Sequence, residues 1–477
     1  FVLGFLFIFV LGGLSGVMVA VVPFNWQVHD SYFIVAHFHY VLVGGMVFPL
    51  FAAIYYWMPM ASAHALSERL GRWFFALFFI GFNLAFFPMH LSGLLGMPRR
   101  IHSYPAGLGW ELPNLLSTIG AFLIAAGICV FLFDLVRRFR PYTHPVRGNI
   151  WDAGTLEWLP NDDYATRSIP EVRDLYPLWQ DPRLPDDVDE GRYYLPGTAT
   201  GLRETIVTSP VEARPLYLLR IPGPSWLSFF AAIFTAAFFM LLTGKLVTLA
   251  AIAGVAAVVM MLLWAWDTDW KPAGDIAVGG GVTLPAYMTG AMSHSRWAMV
   301  ILLIVLGVMA ATIVFSYLFL WTVSPEIWPG RDAPVVSAGV RLAAIALYLA
   351  AMALMILAGR MLPGDGKGRA RSVAAIFIAA AMLAAAFVVE FQGYRASGVK
   401  PAMDAHGAIL HAAVGLQGLL VASAILMTGL VLLRILRRRT DALWRNSFDN
   451  AALYFHFTAA TGITFAAFFH LFPWLAG

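Results

Sequence analysis

Long uncharged stretches alternate with short charged loops along most of the chain. A helix needs about 20 apolar residues to cross the hydrocarbon core of a bilayer, and eleven of these stretches are long enough or nearly so. Membrane strands would instead appear as segments of about 10 alternating residues, which the stretches do not contain. The pattern predicts an all-α, polytopic transmembrane helix bundle with about eleven spans, in the runs 1–29, 31–67, 73–98, 112–133, 221–244, 246–266, 297–325, 342–359, 372–389, 405–433 and 450–477.

The positive charges predict which ends of the spans face the cytoplasm, because membrane proteins collect Lys and Arg in cytoplasmic loops. If each run crosses once, the basic residues that follow the second, fourth, eighth and tenth spans fall on one side. We assign that side to the cytoplasm, with Arg69, Arg72, Arg137, Arg138, Arg140, Arg360, Lys367, Arg369, Arg371, Arg434, Arg437, Arg438, Arg439 and Arg445.

A charged stretch separates the fourth span from the fifth. The chain has 31 basic and 27 acidic residues, and 9 basic and 13 acidic ones lie between Phe139 and Arg220, among many Pro and Tyr residues. Such a composition disfavours a packed core. We therefore expect an extended cytoplasmic linker there, rather than a domain with its own core.

The overall composition excludes an ordinary soluble enzyme, a disordered chain and a disulfide scaffold. Apolar residues make up 60% and charged residues 12% of the chain, about half the charge of a typical soluble domain. The single cysteine, Cys129, cannot form an internal disulfide or a thiolate metal cluster. The net charge of +4 needs no nucleic-acid partner, because cytoplasmic loops account for it. The chain opens at Phe1, without Met and inside an apolar run, so we expect it to begin in mid-protein.

Two histidines in the second span are candidate metal ligands. Imidazole is a common metal ligand, and ionisable groups in membrane helices are functional candidates by default. Each helical residue advances by about 100°, so His37 and His39 point roughly 200° apart. They cannot chelate one metal from a regular helix, but each can bind a separate centre. Iron porphyrins are the natural candidates, because haem iron accepts axial imidazole.

Two further pairs lie at the outer end of these spans. His29 and Asp30 begin the second span, and an imidazole beside a carboxylate suits a hydrated magnesium ion. The alternative is that Asp30 only stabilises the helix N-terminus. Arg99 and Arg100 fall on the outer side, against the charge rule. They are either tolerated surface charges or partners of an anion such as a carboxylated cofactor.

These residues in this order resemble subunit I of the haem–copper terminal oxidases. The resemblance covers about residues 1–160 and corresponds to the last four of that subunit's twelve helices. It is carried by three strings, which are His29-Asp30-x6-His37-Phe38-His39-Tyr40, Gly81-Phe82-Asn83-Leu84-Ala85-Phe86-Phe87-Pro88 and Gly96-Met97-Pro98-Arg99-Arg100.

The resemblance implies a role for each candidate residue. His37 would be the proximal ligand of the high-spin haem, where oxygen binds, and His39 one axial ligand of the low-spin haem. His29 and Asp30 would bind magnesium, and Arg99 and Arg100 would hold the haem propionates. The haems would be of the A type.

The chain departs from the family pattern in several places. The other low-spin ligand and the three copper-ligating histidines belong to earlier helices of the family, so the copper ligands are expected outside this chain. Asn25 replaces an Asp that interacts with propionates in many relatives, and Ile101 replaces a frequent Tyr.

Residues after about 215 resemble subunit III of the same oxidases more distantly, with seven expected spans. An acidic residue of the family's third helix is missing from the segment 304–309. Lipid between the helices is expected from this resemblance. The matching strings are Glu390-Phe391-Gln392, Asp404-Ala405-His406-Gly407, Phe448-Asp449 and Tyr454-Phe455-His456-Phe457.

Together these features predict a subunit I-like domain over residues 1–160, a cytoplasmic linker over 161–214 and a seven-helix subunit III-like domain over 215–477. The implied function is part of a proton-pumping cytochrome c oxidase of the bacterial cell (inner) membrane. Its partners would be subunit II, cytochrome c, the missing N-terminal helices of subunit I, and lipids. Two alternatives stay open, a quinol-oxidising relative and a non-catalytic membrane scaffold or transporter. Tyr40 after His39 favours the cytochrome c users.

Overall fold

The computed structural model describes most of the chain, and eleven of the helices in that part are long and apolar enough to cross a membrane. This confirms the predicted all-α bundle of a multi-pass membrane protein. The described residues are 1–62, 64–140, 149–159, 167–196, 203–221, 223, 225–268, 274–288, 293–328, 336–362, 366–441 and 444–476, without the side chains of 203, 327, 366, 367, 470, 471 and 473–476.

The chain divides into two compact units, Phe1–Thr205 and Ile206–Gly477. The first unit contains four candidate spans, one of which is built from two α-helices joined by a π-helical turn at Val43–Val47. Its membrane helices are α1 (Val2–Ala20), α2 (Val22–Val28), α3 (Tyr32–Leu42), α4 (Phe48–Ala61), α5 (Glu68–Leu94) and α6 (Glu111–Arg138).

Serine residues begin two of these helices. The Ser31 hydroxyl accepts a hydrogen bond from the amide of Phe33 at the start of α3, and Ser67 accepts one from Leu70 at the start of α5. Each serine satisfies a backbone donor that has no partner inside the helix. The two capped helices, α3 and α5, form the frame of the candidate site.

Helices α5 and α6 approach each other through glycine. A methyl group added at Gly81 would lie 2.8 Å from the amide nitrogen of Ile124 and 2.9 Å from the carbonyl oxygen of Gly120. Small residues permit such close backbone contact, which drives helix association where lipid weakens the hydrophobic effect. The aromatic cluster of Phe74, Phe78 and Phe82 fills the neighbouring space beneath α4.

Contacts between loops define two opposite ends of the first unit. At one end, the Ser67 amide donates to Asp134 (2.7 Å), which joins the start of α5 to α6, and the Arg140 amide donates to Ser62 (3.0 Å), which joins the chain after α6 to the end of α4. At the other end, Ser31 and Pro98 form an antiparallel bridge. The basic residues after α6 therefore lie at the end opposite Arg99, in agreement with the charge analysis.

The predicted extended linker is wrong in one respect, because part of it folds onto the first unit. Trp158, Leu178, Leu184 and Val188 are buried together. The Trp158 indole donates to the hydroxyl of Tyr56 on α4 (3.3 Å). The composition of the stretch could not reveal this cluster, since α4 supplies part of the apolar surface on which it packs.

The elements of this region are short. The first unit, which includes most of this region, ends at Thr205, whereas the sequence predicts that the second domain begins at 215. Residues 161–166 and 197–202 of the predicted linker lie outside the described part. The elements are the 3-10 turn Leu156–Trp158, α7 (Pro177–Gln180), α8 (Leu184–Asp189) and the paired strands β1 (Arg203–Thr208) and β2 (Pro215–Ile221).

The second unit holds seven candidate spans, as the sequence predicts. Helices α9 and α10 pair with each other, whereas the other five enclose the main core around Tyr317, Leu383 and Phe455. The elements are α9 (Trp226–Thr243), α10 (Val247–Thr268), the hairpin strands β3 (Asp275–Gly279) and β4 (Val282–Pro285), α11 (His294–Val323), α12 (Ala338–Arg360), α13 (Gly366–Ala396), α14 (Ala405–Leu436) and α15 (Asn446–Ala476).

One buried hydrogen-bonded network crosses this five-helix core. The Tyr348 hydroxyl donates to the Glu390 carboxyl (3.0 Å), and the Gln417 amide donates to the Tyr348 oxygen (3.2 Å) and to the carbonyl of Thr458 (3.0 Å). These side chains come from α12, α13 and α14, and the accepting carbonyl from α15. Buried polar groups must find partners in this way, so the network ties four helices together.

We predict that Gly81→Leu destabilises the first unit, because the added side chain forces α5 and α6 apart. Overpacking of this kind costs about 1–3 kcal/mol. The midpoint of thermal unfolding of the full chain in detergent should fall. The control is Gly13→Leu on α1, where an added methyl group meets no atom within 4 Å. Equal midpoints for the two variants would contradict the close α5–α6 contact.

Candidate functional site

The candidate site is built on α3, which lies between α1 and α5. His37 faces α1. Its Nδ1 lies 2.9 Å from the Ser15 hydroxyl, and a methyl group added at Gly16 would lie 3.0 Å from its Cε1 atom. Because Gly16 has no side chain, the imidazole ring can lie close against α1.

The hydrogen bonds of Ser15 determine which His37 nitrogen carries the proton. The hydroxyl has one proton to donate, and it also lies 3.0 Å from the carbonyl oxygen of Gly12, which can only accept. With its proton on that carbonyl, the hydroxyl accepts from His37, and Nδ1 is then the protonated nitrogen. The lone pair is left on Nε2, which is the nitrogen available to a metal.

His39 faces α5 on the other side of α3. Its ring stacks on Phe86 at a centroid distance of 4.2 Å and on its neighbour Phe38 at 4.5 Å. Its Nδ1 lies 2.7 Å from the carbonyl oxygen of Val35, which can only accept a hydrogen bond. Nδ1 is therefore protonated here as well, and Nε2 again carries the lone pair.

The structure thus directs the two imidazoles toward different helices, in the arrangement that the two-residue spacing predicts. Both partly buried rings are held through Nδ1, and both present Nε2 as a neutral donor. This donor set fits two axial imidazole ligands of separate haem irons. The assignment of each histidine to a particular haem stays a prediction.

A second contact holds α3 against α5, at the residue that follows His39. The buried Tyr40 donates its hydroxyl proton to the Asn83 side-chain oxygen (2.8 Å), and the Asn83 amide donates to the carbonyl of Phe79 (2.9 Å). A buried Tyr needs such a partner. The hydrogen bond therefore fixes the rotation of α3, and with it the directions of His37 and His39.

The outer pairs form one polar corner. The Asp30 carboxylate contacts the Arg99 guanidinium and lies 3.4 Å from the His29 Nε2 atom. The backbone reinforces this contact, because the Arg99 amide donates to the Asp30 carbonyl (2.8 Å) and the Tyr32 amide donates to that of Met97 (2.9 Å). Asp30 has a φ of 59°, a left-handed conformation that Asp tolerates better than most residues.

The two arginines of the corner differ. Arg99 is partly buried, its charge is shared with Asp30, and its buried Nε lacks a hydrogen-bond partner. Arg100 is exposed and has a φ of 67°. Sequence analysis did not identify Asp30 as the partner of Arg99, because the two residues are far apart along the chain. The unsatisfied Nε of Arg99 and the exposed Arg100 fit anionic groups such as carboxylates.

The corner also bears on the proposed magnesium ligands. His29 and Asp30 lie together and are more than half exposed, which suits an ion that keeps part of its water shell. Within the described residues, no group of three His, Cys, Asp or Glu side chains could hold a metal. Arg99 also competes with any cation for Asp30.

His90 is a further intramembrane histidine that the sequence analysis missed. It lies on α5, with its ring edge-on to Phe33 (4.9 Å) and 5.5 Å from the Tyr40 ring. Its Nδ1 lies 3.2 Å from the Phe87 carbonyl, and its buried Nε2 has no hydrogen-bond partner. A histidine inside an uncharged run was the signal that could have identified it.

The histidines of the second unit are dispersed. His294 lies at the start of α11, His406 and His411 on α14, and His456 on α15. The side chain of His470 lies outside the described residues. Two of the matched acidic residues have local structural roles, since Asp404 caps α14 by accepting from the Gly407 amide (2.6 Å) and Asp449 pairs with Arg445 (2.9 Å).

Comparison with known proteins locates a relationship in the first unit. Residues 1–123 match the sequence model of the family "Cytochrome C and Quinol oxidase polypeptide I". The chain is 45% identical over 174 residues to "Cytochrome c oxidase subunit 1" of Alkalihalophilus pseudofirmus, a match that covers 36% of this chain and 28% of the relative.

Two further relatives come from bacilli. "Cytochrome c oxidase subunit 1" of Bacillus sp. PS3 is 42% identical over 236 residues, which are 48% of this chain and 35% of the relative. "Quinol oxidase subunit 1" of Bacillus subtilis is 38% identical over 212 residues, which are 41% of this chain and 33% of the relative. The chain thus spans about a third of the length of the curated relatives it matches.

We predict that Ser15→Ala changes the tautomer of His37, because Nδ1 then loses its acceptor. In nitrogen-15 NMR spectra of the full chain in detergent, wild-type His37 should be protonated at Nδ1, and the variant should gain protonation at Nε2. His39, which is held by a backbone carbonyl, should be unchanged and is the internal control. A spectrum of His37 unaffected by the substitution would contradict the assigned hydrogen bond.

Proposed function

We propose that this chain holds two haems on opposite faces of α3. The proposal is supported by the relationship of residues 1–123 to subunit 1 of the haem–copper oxidases. The chain would act as part of a proton-pumping terminal oxidase that transfers electrons to oxygen in the bacterial inner membrane. The observation that carries the proposal is the shared arrangement of His37 and His39. Each is fixed through Nδ1, presents Nε2, and faces a different helix.

The residues around the two histidines act by positioning. In the proposal, His37 would bind the iron of the high-spin haem and His39 would bind the iron of the low-spin haem. When bound, the haems supply electron transfer and oxygen reduction. Ser15 holds the His37 ring, and Phe86 restricts the His39 ring and keeps water from it. Hydrogen bonding to Nδ1 also makes an imidazole a better donor through Nε2.

The polar corner would serve the outer side of this site. We assign Arg99 and Arg100 to the haem propionates, supported by the unsatisfied Nε of Arg99 and the exposure of Arg100. We assign His29 and Asp30 to a hydrated magnesium ion, with water and other polypeptide as the remaining ligands. In this assignment Asp30 links the two functions, because it contacts Arg99 and would also bind the cation.

The remaining parts of the oxidase would lie in polypeptide outside this chain. They are the copper ligands, the second low-spin ligand and a subunit II that accepts electrons from cytochrome c. We propose haem of the A type and cytochrome c as the donor. The alternative donor is a quinol, and the relatives include proteins named for each. Oxygen uptake by the complete complex, with reduced cytochrome c or with a quinol, distinguishes the two.

The second unit is proposed to be a subunit III-like supporting domain without a redox centre. Its seven candidate spans and the internal hydrogen bonds of Tyr348, Glu390 and Gln417 support a structural role. A non-catalytic scaffold remains the competing proposal for the whole chain. It predicts no haem absorption from the full-length protein.

We predict that His37 and His39 have separable functions. In the complete oxidase, His39→Ala should abolish the low-spin haem absorption, whereas His37→Ala should abolish binding of carbon monoxide and oxygen. The physical reason is that the two rings face different helices and cannot share one iron. Reduced-minus-oxidised and carbon monoxide difference spectra measure the two effects.

His102→Ala is the matched control, because His102 is exposed in the loop after α5 and should leave both spectra intact. Loss of the same single centre in both α3 variants would refute the two-faced arrangement. Unaltered spectra in both would refute the assignment of His37 and His39 as haem ligands.

We predict that deletion of residues 206–477 leaves the haem content and the initial rate of oxygen reduction nearly unchanged. The cut lies at the division after Thr205 and so keeps α8, because its Val188 belongs to the buried cluster of the first unit. The lifetime of turnover or proton uptake should decline, as expected on loss of a supporting domain. Loss of either haem would contradict this division of functions.

A further inference from the structure

A path of buried polar side chains leads from the outer end of the second unit toward its middle. Helix α12 ends at Arg360, on the side that the charge pattern assigns to the cytoplasm, so α12 begins at the outer end, where α13 ends and α14 begins. At a rise of about 1.5 Å per residue, Glu390 lies about 9 Å before the end of α13 and Gln417 about 18 Å after the start of α14. Because the hydrocarbon core is about 30 Å thick, the path reaches the middle of the bundle. This polar path consists of Trp328, Tyr317, Tyr394, Glu390, Tyr348 and Gln417.

The inner part of the polar path contains an acceptor without a donor. The Gln417 side chain is fully buried, and its amide nitrogen donates to the Tyr348 oxygen and to the Thr458 carbonyl. Its Oε1 atom has no hydrogen-bond partner within the protein. A methyl group added at Gly462 would lie 2.6 Å from the Gln417 nitrogen, so glycine at this position leaves room for the amide. Because a buried polar atom is costly without a partner, Oε1 requires a donor that the protein does not supply.

The outer part has the opposite arrangement, with two donors that lack an acceptor. The rings of Tyr317, Trp328 and His406 form a triangle with centroid distances of 4.9, 5.2 and 5.8 Å, and each residue is less than one-tenth exposed. The Trp328 indole nitrogen lies near enough to the Tyr317 hydroxyl to act on it electrostatically, but without the geometry of a hydrogen bond. Neither of these two buried atoms has a hydrogen-bond partner within the protein. One oxygen atom that accepts from both would satisfy them.

Tyr394 joins the two parts. It follows Glu390 by four residues on α13, and side chains at this spacing share one face of a helix. Tyr394 interacts electrostatically with Glu390, with Tyr317 and with Arg341 at the start of α12. The Arg341 side chain is partly exposed, although its Nε is buried and has no hydrogen-bond partner. The polar path therefore reaches the surface beside Arg341.

We propose that water bound along this path lets the Glu390 carboxyl exchange its proton with the aqueous phase at the outer end of the second unit. Water meets both requirements, because it can accept hydrogen bonds from Tyr317 and Trp328 and donate one to Gln417. A buried water molecule typically forms about three hydrogen bonds of this kind. The site belongs to the second unit alone, needs no redox centre and is independent of the haem proposal.

Each step of the exchange conserves atoms and charge. The carboxyl gives its proton to a neighbouring oxygen, and that oxygen releases one of its own protons to the next. One proton thereby enters the outer aqueous phase, and no group is oxidised or reduced. The Tyr348 and Tyr394 hydroxyls lie beside Glu390 and can each receive one proton while they donate another. The other titratable or charged groups that face the path are Arg341 and His406.

The test follows the Glu390 proton by infrared spectroscopy of the full chain in detergent, at an acid pH where the carboxyl is protonated. The difference between the wild type and Glu390→Gln identifies the C=O stretch of this carboxyl, which moves to lower frequency when O–H becomes O–D. After mixing with heavy water, the wild-type band should move within seconds. Tyr317→Phe keeps the ring and removes the hydroxyl, and it should slow the shift by about tenfold or more, because the bound water loses a partner.

The matched control is Tyr454→Phe. Tyr454 is a buried tyrosine of the same core, but its hydroxyl lies near Ser423, outside the polar path. Its substitution should leave the exchange rate of Glu390 unchanged. A wild-type band that does not move over hours would show that Glu390 is sealed from water and would overturn the proposal, as would equal rates in the wild type and Tyr317→Phe. If Tyr317→Phe does not fold, Trp328→Phe decides the matter, because it removes only the other unpartnered donor.

Discussion

The absence of water from the bilayer core is the constraint on which this structure depends. Each spanning segment must satisfy its own backbone polar groups, which only a helix can do within one segment. Once the helices have formed, burial of apolar surface no longer distinguishes protein from lipid. Association then depends on close backbone approach and on a few hydrogen bonds. The contact of Gly81 with Gly120 and the network of Tyr348, Glu390 and Gln417 are examples of each.

The same constraint gives the intramembrane histidines their directed geometry. A polar nitrogen in an apolar surrounding is costly unless it has a partner. His37 and His39 each use Nδ1 for this purpose, one through the Ser15 hydroxyl and the other through the Val35 carbonyl. The opposite nitrogen is then the free donor. Hydrogen bonding inside the protein thus holds Nδ1 of each ring and leaves Nε2 available to a ligand.

At the ends of the helices the balance of forces changes, because water and lipid headgroups can solvate charge. The corner formed by Asp30, Arg99 and Arg100 lies at such an end. Arginine there exceeds the available carboxylate. An excess of guanidinium at the membrane boundary favours anions, and this principle underlies the propionate assignment.

The sequence by itself determined the number of spans, because hydropathy is a property of contiguous residues. It also determined the opposed directions of His37 and His39, because helical geometry is local and a two-residue separation has one outcome on a regular helix. The strings around His29, Arg99 and the two histidines sufficed to indicate the oxidase relationship that the comparison found for residues 1–123.

Only the tertiary structure decided what each of these residues contacts. Ser15, Phe86 and Asn83 meet α3 from other helices, and Asp30 meets Arg99 across many intervening residues. The buried cluster around Trp158 arises in the same way, since α4 completes a core that the charged stretch does not contain in its own composition. Periodicity shows which face of a helix a residue occupies. The identity of the neighbouring helix depends on packing between segments distant in sequence, which no local pattern encodes.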